Sequence, residues 1–189
     1  MNSWMINIAV AVIALLAATG VFFFVATRGT LLVRGLSSAQ NSAKSHVYPL
    51  YSDMRLIKLV DFQPIISAIL LFQYHRLVSK IVDDMKRTNL AGKRVLITSC
   101  AFGNVIPRVV EAAIEGGAER VLIADIIQNE LVHAKTKLTQ YANKVEYIED
   151  NATALKQPDG VAAANIMFFL LHELSHELKG RALAEAGRM

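Results

Sequence analysis

Three absences narrow what this chain can be. It has one cysteine, Cys100, in 189 residues, so it forms no internal disulfide and suits a reducing compartment. It has no dense block of Lys and Arg interleaved with aromatic residues, although its net charge is +4. We therefore expect no nucleic-acid partner. Its first three residues carry no basic side chain, whereas a cleavable signal peptide starts with a basic region.

Charge is also missing from the apolar run between residues 4 and 26. A helix of this length crosses the roughly 30 Å hydrocarbon layer of a bilayer, so we predict a transmembrane anchor over residues 4–27. The first charged residues beyond it are Arg28, Arg34 and Lys44. The positive-inside tendency places the C-terminal side in the cytoplasm. The basic balance also favours contact with anionic membrane lipid.

A linker follows the predicted anchor. Small and polar residues over 35–47 are typical of a linker, and we assign 28–60 to a linker and juxtamembrane segment. Residues 61–189 are predicted to form one folded domain. Within it, apolar residues at helical spacing predict a single helix over 63–86. This helix either packs on the domain core or forms a lid or groove for an apolar substrate near the bilayer.

Strands and helices alternate after Ala91. The predicted buried strands cover residues 93–100, 120–126, 144–150 and 165–171. Helices are predicted between them, and a last helix runs from Ser175 to Gly187. His133, in the middle of a helix and among polar residues, is predicted to be solvated. Strands separated by helices imply a parallel sheet with right-handed crossovers. The predicted fold class is therefore α/β, a Rossmann-like parallel sheet preceded by a transmembrane helix.

Three residues at predicted strand ends indicate a nucleoside site, because ligands of parallel sheets bind at the carboxyl ends of strands. Gly103 follows the first strand and permits close backbone approach. Asp125 ends the second strand, where an acidic residue typically accepts hydrogen bonds from ribose hydroxyls; it also suits a helix cap. Asn151 follows the third strand and can bond an adenine edge, although Asn is also a common turn residue.

These segments, in this order, resemble the class I S-adenosylmethionine-dependent methyltransferases. The matching stretches are FQPIISAILLFQYHRL, RVLITSCAFGNVIPRV, LIADIIQNEL, IEDNATAL and IMFFLLHELSHELKGRALAEAGRM. Within the superfamily the chain is most similar to the quinone-modifying branch, in particular to the RquA group of rhodoquinone-biosynthesis proteins. That group has a Cys-x-aromatic-Gly turn in place of several glycines. It continues beyond the position of Met189 into a Gly-Gly turn and further strands, so we expect a C-terminally truncated chain.

The resemblance implies a transferase that uses S-adenosylmethionine and acts on a polyprenyl quinone, converting ubiquinone to rhodoquinone. It implies no metal site. His172 would face the cofactor–substrate cleft as a catalytic residue, or would be a hydrogen-bonded histidine at a strand end. Asn151 stands where an acidic residue is usual. The implied cofactor-binding residues are Cys100, Ala101, Phe102, Gly103, Asn104, Asp125, Ile126, Asn151 and Ala152.

Two other functions are open. His172, Glu173 and His176 satisfy the His-Glu-x-x-His pattern of zinc peptidases, which requires both histidines on one face of a helix and a third ligand. If residues 165–171 form a strand, the two histidines belong to different elements, and we adopt that prediction. The other alternative is a catalytically inactive, membrane-anchored binding module with a degenerate methyltransferase fold. The sequence does not indicate an oligomeric state.

Overall fold

The computed structural model describes residues 3–26 and 54–189, so the linker predicted over 35–47 lies outside the described residues. The helices are α1 (Ser3–Ala26), α2 (Met54–Val60), α3 (Gln63–Ile69), α4 (Tyr74–Arg87), α5 (Val105–Glu115), α6 (Gln128–Lys137) and α7 (His176–Arg188). The strands are β1 (Arg94–Thr98), β2 (Arg120–Asp125), β3 (Val145–Glu149) and β4 (Ala164–Ile166). Two short 3₁₀ helices cover Thr139–Tyr141 and Leu171–Glu173.

The four strands form one parallel sheet in the order β3-β2-β1-β4. Helix α5 connects β1 to β2, and α6 lies between β2 and β3 in the chain. After β3 the chain returns to the other side of β1. The sheet therefore has a topological switch point at the carboxyl ends of its central strands, the usual ligand position in such folds. The predicted Rossmann-like parallel α/β sheet is confirmed.

Both faces of the sheet are buried, as is usual for parallel strands. Successive residues of β1 alternate between the faces. Val95 and Ile97 belong to the main core with side chains of α4, α5 and α6. Leu96 faces the opposite side, in a smaller cluster with Leu122, Ala124, Leu155 and Met189. The sheet is thus a rigid platform for the turns at its edge.

Helix α1 is apolar over its whole length. Among the described residues it is the one helix long and apolar enough to cross a membrane, over Ser3–Phe22, and none of that span is buried against the rest of the described chain. Such a helix is compatible with a membrane anchor and with a signal sequence.

The prediction of a single helix over residues 63–86 is wrong, because residues 70–73 separate α3 from α4. Leu71 and Phe72 have φ angles of 49° and 60°, a left-handed backbone that ends a helix. The Phe72 N–H donates to Ser67 O over 2.7 Å. Helical apolar spacing continues on both sides of the break, which is why the sequence pattern does not show it.

Two other segments differ from the sequence prediction. Residues 54–60, assigned to the juxtamembrane segment, form α2, and Ile57 and Val60 are buried. The folded region therefore begins before residue 61. Strand β4 includes only two of the residues predicted as strand, Asn165 and Ile166, because Phe169 has a φ of 63° and a 3₁₀ helix follows.

Candidate functional site

A cleft opens at the carboxyl ends of β1 and β2. Five of the nine predicted cofactor-binding residues line it: Cys100, Asp125, Ile126, Asn151 and Ala152. The other four, Ala101, Phe102, Gly103 and Asn104, form the turn that leads from Cys100 to α5. The rest of the lining consists of Ser99, Ala124, Ile127, Glu130, Asp150, Leu170, Glu173 and Leu174.

Asp125 ends β2 and joins two segments of the cleft. Its Oδ2 accepts a hydrogen bond of 2.6 Å from the Cys100 N–H, and its Oδ1 accepts one of 2.8 Å from the Ile127 N–H. Burial raises the pKa of Asp125, and these two amides oppose that shift. The Cys100 thiol and the Ile126 N–H also interact with this carboxylate. The side chain therefore braces both segments of the cleft.

Ser99 starts the turn after β1 with a left-handed backbone. Its φ is 82°, and its N–H donates to Ala124 O over 2.7 Å. For a residue with a side chain, this conformation costs roughly 1–2 kcal/mol of folding free energy. Strained backbone of this kind is typical of ligand-binding turns, where the surrounding structure holds it in place.

Gly103 is the next special position of the turn, with a φ of 78°. A Cβ at this position would conflict with the hydroxyl of Tyr74 and lie 2.7 Å from its Cζ. The Tyr74 Oη donates to Phe102 O over 3.0 Å and accepts from the Val105 N–H over 2.9 Å. Burial raises the pKa of Tyr74 to about 12, so the phenol keeps its proton. The close neighbour that requires glycine here is thus a side chain of α4.

A charged cluster fixes the backbone of Gly103 from the other side. The Gly103 N–H donates to Asp61 Oδ1 over 2.7 Å, and Lys137 Nζ donates to Gly103 O over 2.5 Å and to Asp61 Oδ1 over 2.7 Å. His133 Nε2 lies 3.1 Å from Asp61 Oδ2, without alignment for a hydrogen bond. The prediction that His133 is solvated is wrong, because the segment between α2 and α3 covers this face of α6 and leaves His133 only 8% exposed.

Glu130 is the cleft residue that the sequence does not reveal. It is 3% exposed, and among the described residues its Oε1 has no hydrogen-bond partner. Burial, and then the charge of Asp125, raise the pKa of Glu130 to about 8, so the carboxyl is mostly protonated at pH 7. The buried Oδ1 of Asn104 also has no partner in the described part of the chain. Buried polar atoms without partners are rare in proteins, and these two are consistent with a ligand group.

The turn after β3 is organised by two adjacent polar residues. Asp150 is buried and accepts from the N–H groups of Asn151 and Lys156, over 2.8 and 2.9 Å. Asn151 Oδ1 accepts from the N–H and the hydroxyl of Thr153, over 3.0 and 2.9 Å. That oxygen is the atom expected to accept a hydrogen bond from adenine. In the structure it stabilises the turn.

His172 lies in the 3₁₀ helix after β4, outside the cleft lining but next to Glu173, which belongs to it. Its ring packs edge-on against Phe169, with centroids 6.0 Å apart. Burial, with a smaller effect of Lys179, lowers the pKa of His172, so the imidazole is neutral at pH 7. The structure thus places His172 beside the cleft, with one side exposed.

The two histidines of the peptidase pattern belong to different elements. His172 is in the 3₁₀ helix, whereas His176 is the first residue of α7, after the cap Ser175. The described residues contain no group of three His, Cys, Asp or Glu side chains able to hold a metal ion. The geometry therefore does not support the zinc-peptidase interpretation.

Comparison with known families identifies the family of the chain. The ubiE/COQ5 methyltransferase family matches residues 58–188, more than half of the chain. The chain belongs to this family. Its cofactor is accordingly S-adenosylmethionine. Among curated proteins, none matches the sequence.

Solved structures show the same fold. An S-adenosyl-L-methionine-dependent methyltransferase from Methanococcus maripaludis is 11% identical, with a TM-score of 0.53, over 80% of this chain and 62% of that one. One from Aquifex aeolicus is 22% identical, with a TM-score of 0.50, over 72% and 66%. Phosphoethanolamine N-methyltransferase 1 from Haemonchus contortus is 18% identical, with a TM-score of 0.51, over 73% and 29%. The chain thus spans 62% of the first of these structures and 29% of the third.

The residues of the cleft fit S-adenosylmethionine. The carboxyl groups of Asp125 and Glu173 line the cleft and suit a cofactor that carries a sulfonium and an ammonium group. Ile126 and Leu170 add apolar walls, which suit the adenine ring. The cleft of this chain therefore carries chemical groups that suit the cofactor of the methyltransferase family.

Proposed function

We propose that the chain is a membrane-anchored, S-adenosylmethionine-dependent transferase that acts on a polyprenyl quinone, in the conversion of ubiquinone to rhodoquinone. The observation that carries the proposal is the combination of an acidic cofactor cleft with a membrane-length helix in one chain of this family. A polyprenyl quinone resides in the bilayer, so an enzyme held at the membrane meets its substrate there. The resemblance to the RquA group supports the quinone as acceptor.

Each part of the cleft has a role in this proposal. Asp125 binds the ribose, Ile126 flanks the adenine, and Asn151 with Ala152 borders its edge. The turn from Cys100 to Asn104 holds the methionine end of the cofactor. When bound, S-adenosylmethionine would supply the nitrogen from its amino group, because the sulfonium methyl group cannot give the ring amino group of rhodoquinone. The protein contributes by aligning donor and acceptor and by excluding water from the cleft.

His172 is the proposed catalytic residue. Its imidazole is neutral at pH 7 because burial lowers its pKa, and a neutral imidazole accepts a proton. It stands beside Glu173 at the rim of the cleft. In this position it would take up the proton that the nitrogen releases when it bonds to the acceptor next to the cofactor.

The location follows from α1 and the residues after it. We propose that residues 4–27 anchor the protein, that the residues between the anchor and α2 connect it to the membrane, and that the folded region from 54 to 189 binds the cofactor on the cytoplasmic side. Arg28, Arg34 and Lys44 support this orientation through the positive-inside tendency. Vesicle flotation and protease protection measure the anchor and its orientation.

Binding of the cofactor is the first test. We expect calorimetry with the full chain in lipid nanodiscs to detect S-adenosylmethionine. Asp125→Asn should weaken binding at least tenfold, because it removes a charge and disturbs the Cys100 and Ile127 amides that Asp125 holds. Asp84→Asn is the matched control, since Asp84 is exposed and pairs only with Lys80 among the contacts described. A folded chain that gives no heat at millimolar cofactor overturns the proposal.

Quinone analysis is the second test. Cells that express the chain should contain rhodoquinone, recognised by its ring amino group in mass spectra of quinone extracts. His172→Ala should abolish this product, whereas His176→Ala, on the exposed start of α7, should not. Cofactor binding without any modified quinone would favour the inactive binding module. One observation favours that alternative: Asp125 and the Gly103 backbone already have hydrogen-bond partners within the protein.

A further inference from the structure

The turn between α3 and α4 presents large apolar side chains to solvent. Leu71 and Phe72 are 78% and 75% exposed. Outside α1, eight large apolar side chains of the described residues are exposed, and five of them lie between residues 59 and 77: Leu59, Phe62, Leu71, Phe72 and Leu77. Single exposed apolar residues are ordinary, but a concentration of them marks a contact surface.

This turn is held in place by the backbone. The Phe72 N–H donates to Ser67 O over 2.7 Å, and the Gln73 N–H donates to Leu70 O over 2.9 Å. Leu71 and Phe72 both adopt left-handed φ angles, which are unfavourable for residues with side chains. Burial of these two side chains within the described protein does not offset that strain. Strain that persists at an exposed position is a reason to look for a functional contact.

In the sequence, the charged residues on either side of the turn are mainly basic. Between residues 54 and 77 the basic residues are Arg55, Lys58 and Arg76, and the acidic residue is Asp61. Asp61 is already engaged by Lys137. A surface with exposed apolar side chains and a positive balance complements the anionic headgroups and the acyl region of a bilayer.

We propose that the α3–α4 turn, residues 70–73, inserts into the membrane interface as a second contact besides α1. This inference rests on the membrane location in the proposed function. The occupant is the bilayer, since α1 of the same chain supplies a membrane-length helix. An anchor keeps the domain at high local concentration near the lipid, so two inserted side chains suffice to orient it.

The insertion would orient the turn after β1, from Cys100 to Asn104, towards the bilayer. Tyr74 follows the α3–α4 turn directly, and its hydroxyl is bonded to Phe102 O and the Val105 N–H. Ile66 of α3 packs against Gly103. The elements on both sides of the inserted turn therefore contact the turn after β1. An apolar acceptor leaving the bilayer would meet the protein next to these elements.

Nitroxide accessibility tests the proposal on the full chain in vesicles of phosphatidylcholine and phosphatidylglycerol. A label is attached to Phe72→Cys, and the control is Leu183→Cys on α7, where the native side chain is 52% exposed. Cys100 is 7% exposed and reacts slowly by comparison. We expect the label at 72 to be more accessible to oxygen than to a water-soluble nickel chelate, and the label at 183 to show the reverse. Circular dichroism of the labelled chains monitors folding, and calorimetry with S-adenosylmethionine separately measures cofactor binding.

The outcomes separate this inference from the proposed function. A chain that floats with the vesicles but whose label at 72 is accessible to nickel overturns the insertion and leaves the proposed function standing. Low accessibility of the label at 72 to both reagents means that protein covers the turn. That result also overturns the insertion. A chain that does not float overturns both the anchor and the insertion. An embedded label in a chain that binds no cofactor upholds the insertion and overturns the transferase.

Discussion

One oxygen of the buried Glu130 carboxyl group has no hydrogen-bond partner among the described residues. Glu130 faces the same space as Asp125, and desolvation together with that neighbouring charge raises the pKa of Glu130 to about 8. The unfolded chain has a glutamate of ordinary pKa, near 4.3. The folded protein therefore binds a proton that the unfolded chain releases in the range between these two values.

The stability of the protein should consequently fall as the pH rises from about 5 to 8. One proton bound only by the folded state corresponds to a slope of about −1.4 kcal/mol per pH unit. Glu130→Gln should flatten this slope, because the amide does not titrate. Denaturant unfolding of the chain in detergent at several pH values measures this slope of the unfolding free energy. Glu177→Gln, on the exposed face of α7, is the control and should keep the wild-type slope; an unchanged slope in Glu130→Gln would contradict the raised pKa.

Sequence patterns locate residues whose position depends on the backbone alone. Asp125 could be predicted because the carboxyl end of a buried strand defines an edge of the sheet. The burial of Glu130 and His133 could not be predicted, because the burial of a helix position depends on what covers that helix. Here the cover comes from Asp61, which is 72 positions before His133 in the chain. No local pattern contains that contact.

At the scale of elements, α4 holds the turn after β1 through Tyr74. The side chain fills the space that a Cβ of Gly103 would need. The buried strands could be predicted from their apolar runs, whereas this contact between α4 and the turn could not, since it requires the break at residues 70–73 that redirects α4. The strain at Leu71 and Phe72 gives no sequence signal, because neither residue is typical of a left-handed turn.

A double-mutant cycle tests the contact between Tyr74 and Gly103. Gly103→Ala should destabilise the protein more than Gly92→Ala, because both glycines have positive φ but only Gly103 has a neighbour within 4 Å. Tyr74→Phe should cost about 1–3 kcal/mol, since the Phe102 carbonyl and the Val105 N–H lose their hydrogen bonds to the phenol. In the Tyr74→Phe background, Gly103→Ala should cost less, with a coupling of about 1 kcal/mol.

Denaturant unfolding of these variants gives the coupling energy. Gly92→Ala reports the cost of the left-handed backbone alone, roughly 1–2 kcal/mol. Equal costs for the two glycine substitutions would show that Tyr74 does not fill the space at Gly103. Strict additivity of Tyr74→Phe and Gly103→Ala would show the same.

At the scale of the whole molecule, the end of α7 closes the second face of the sheet. Arg188 Nη2 donates to Leu155 O over 2.7 Å and to Glu185 Oε2 over 2.6 Å, and Nη1 donates to Gln157 O and Asp159 Oδ1, each over 2.7 Å. The backbone of Met189 accepts from the Ala162 N–H over 2.9 Å. One side chain thus joins α7 to the segment between β3 and β4. The sequence indicates a polar-faced helix here but not what it contacts.

Arg188→Ala should therefore loosen the segment from residue 155 to 162 and lower the denaturant midpoint. The reason is that two backbone carbonyl groups and two carboxylates lose their common donor, and Met189 is no longer held against the Leu96 cluster. Arg181→Ala is the matched control, since Arg181 is 61% exposed and pairs with Glu177 one turn away, a type of surface pair that contributes little. Amide hydrogen exchange should show faster exchange at residues 155–162 in Arg188→Ala and not in Arg181→Ala. If both variants exchange alike, the second face of the sheet is held by apolar contacts alone, and the Arg188 network is a surface feature without a structural role.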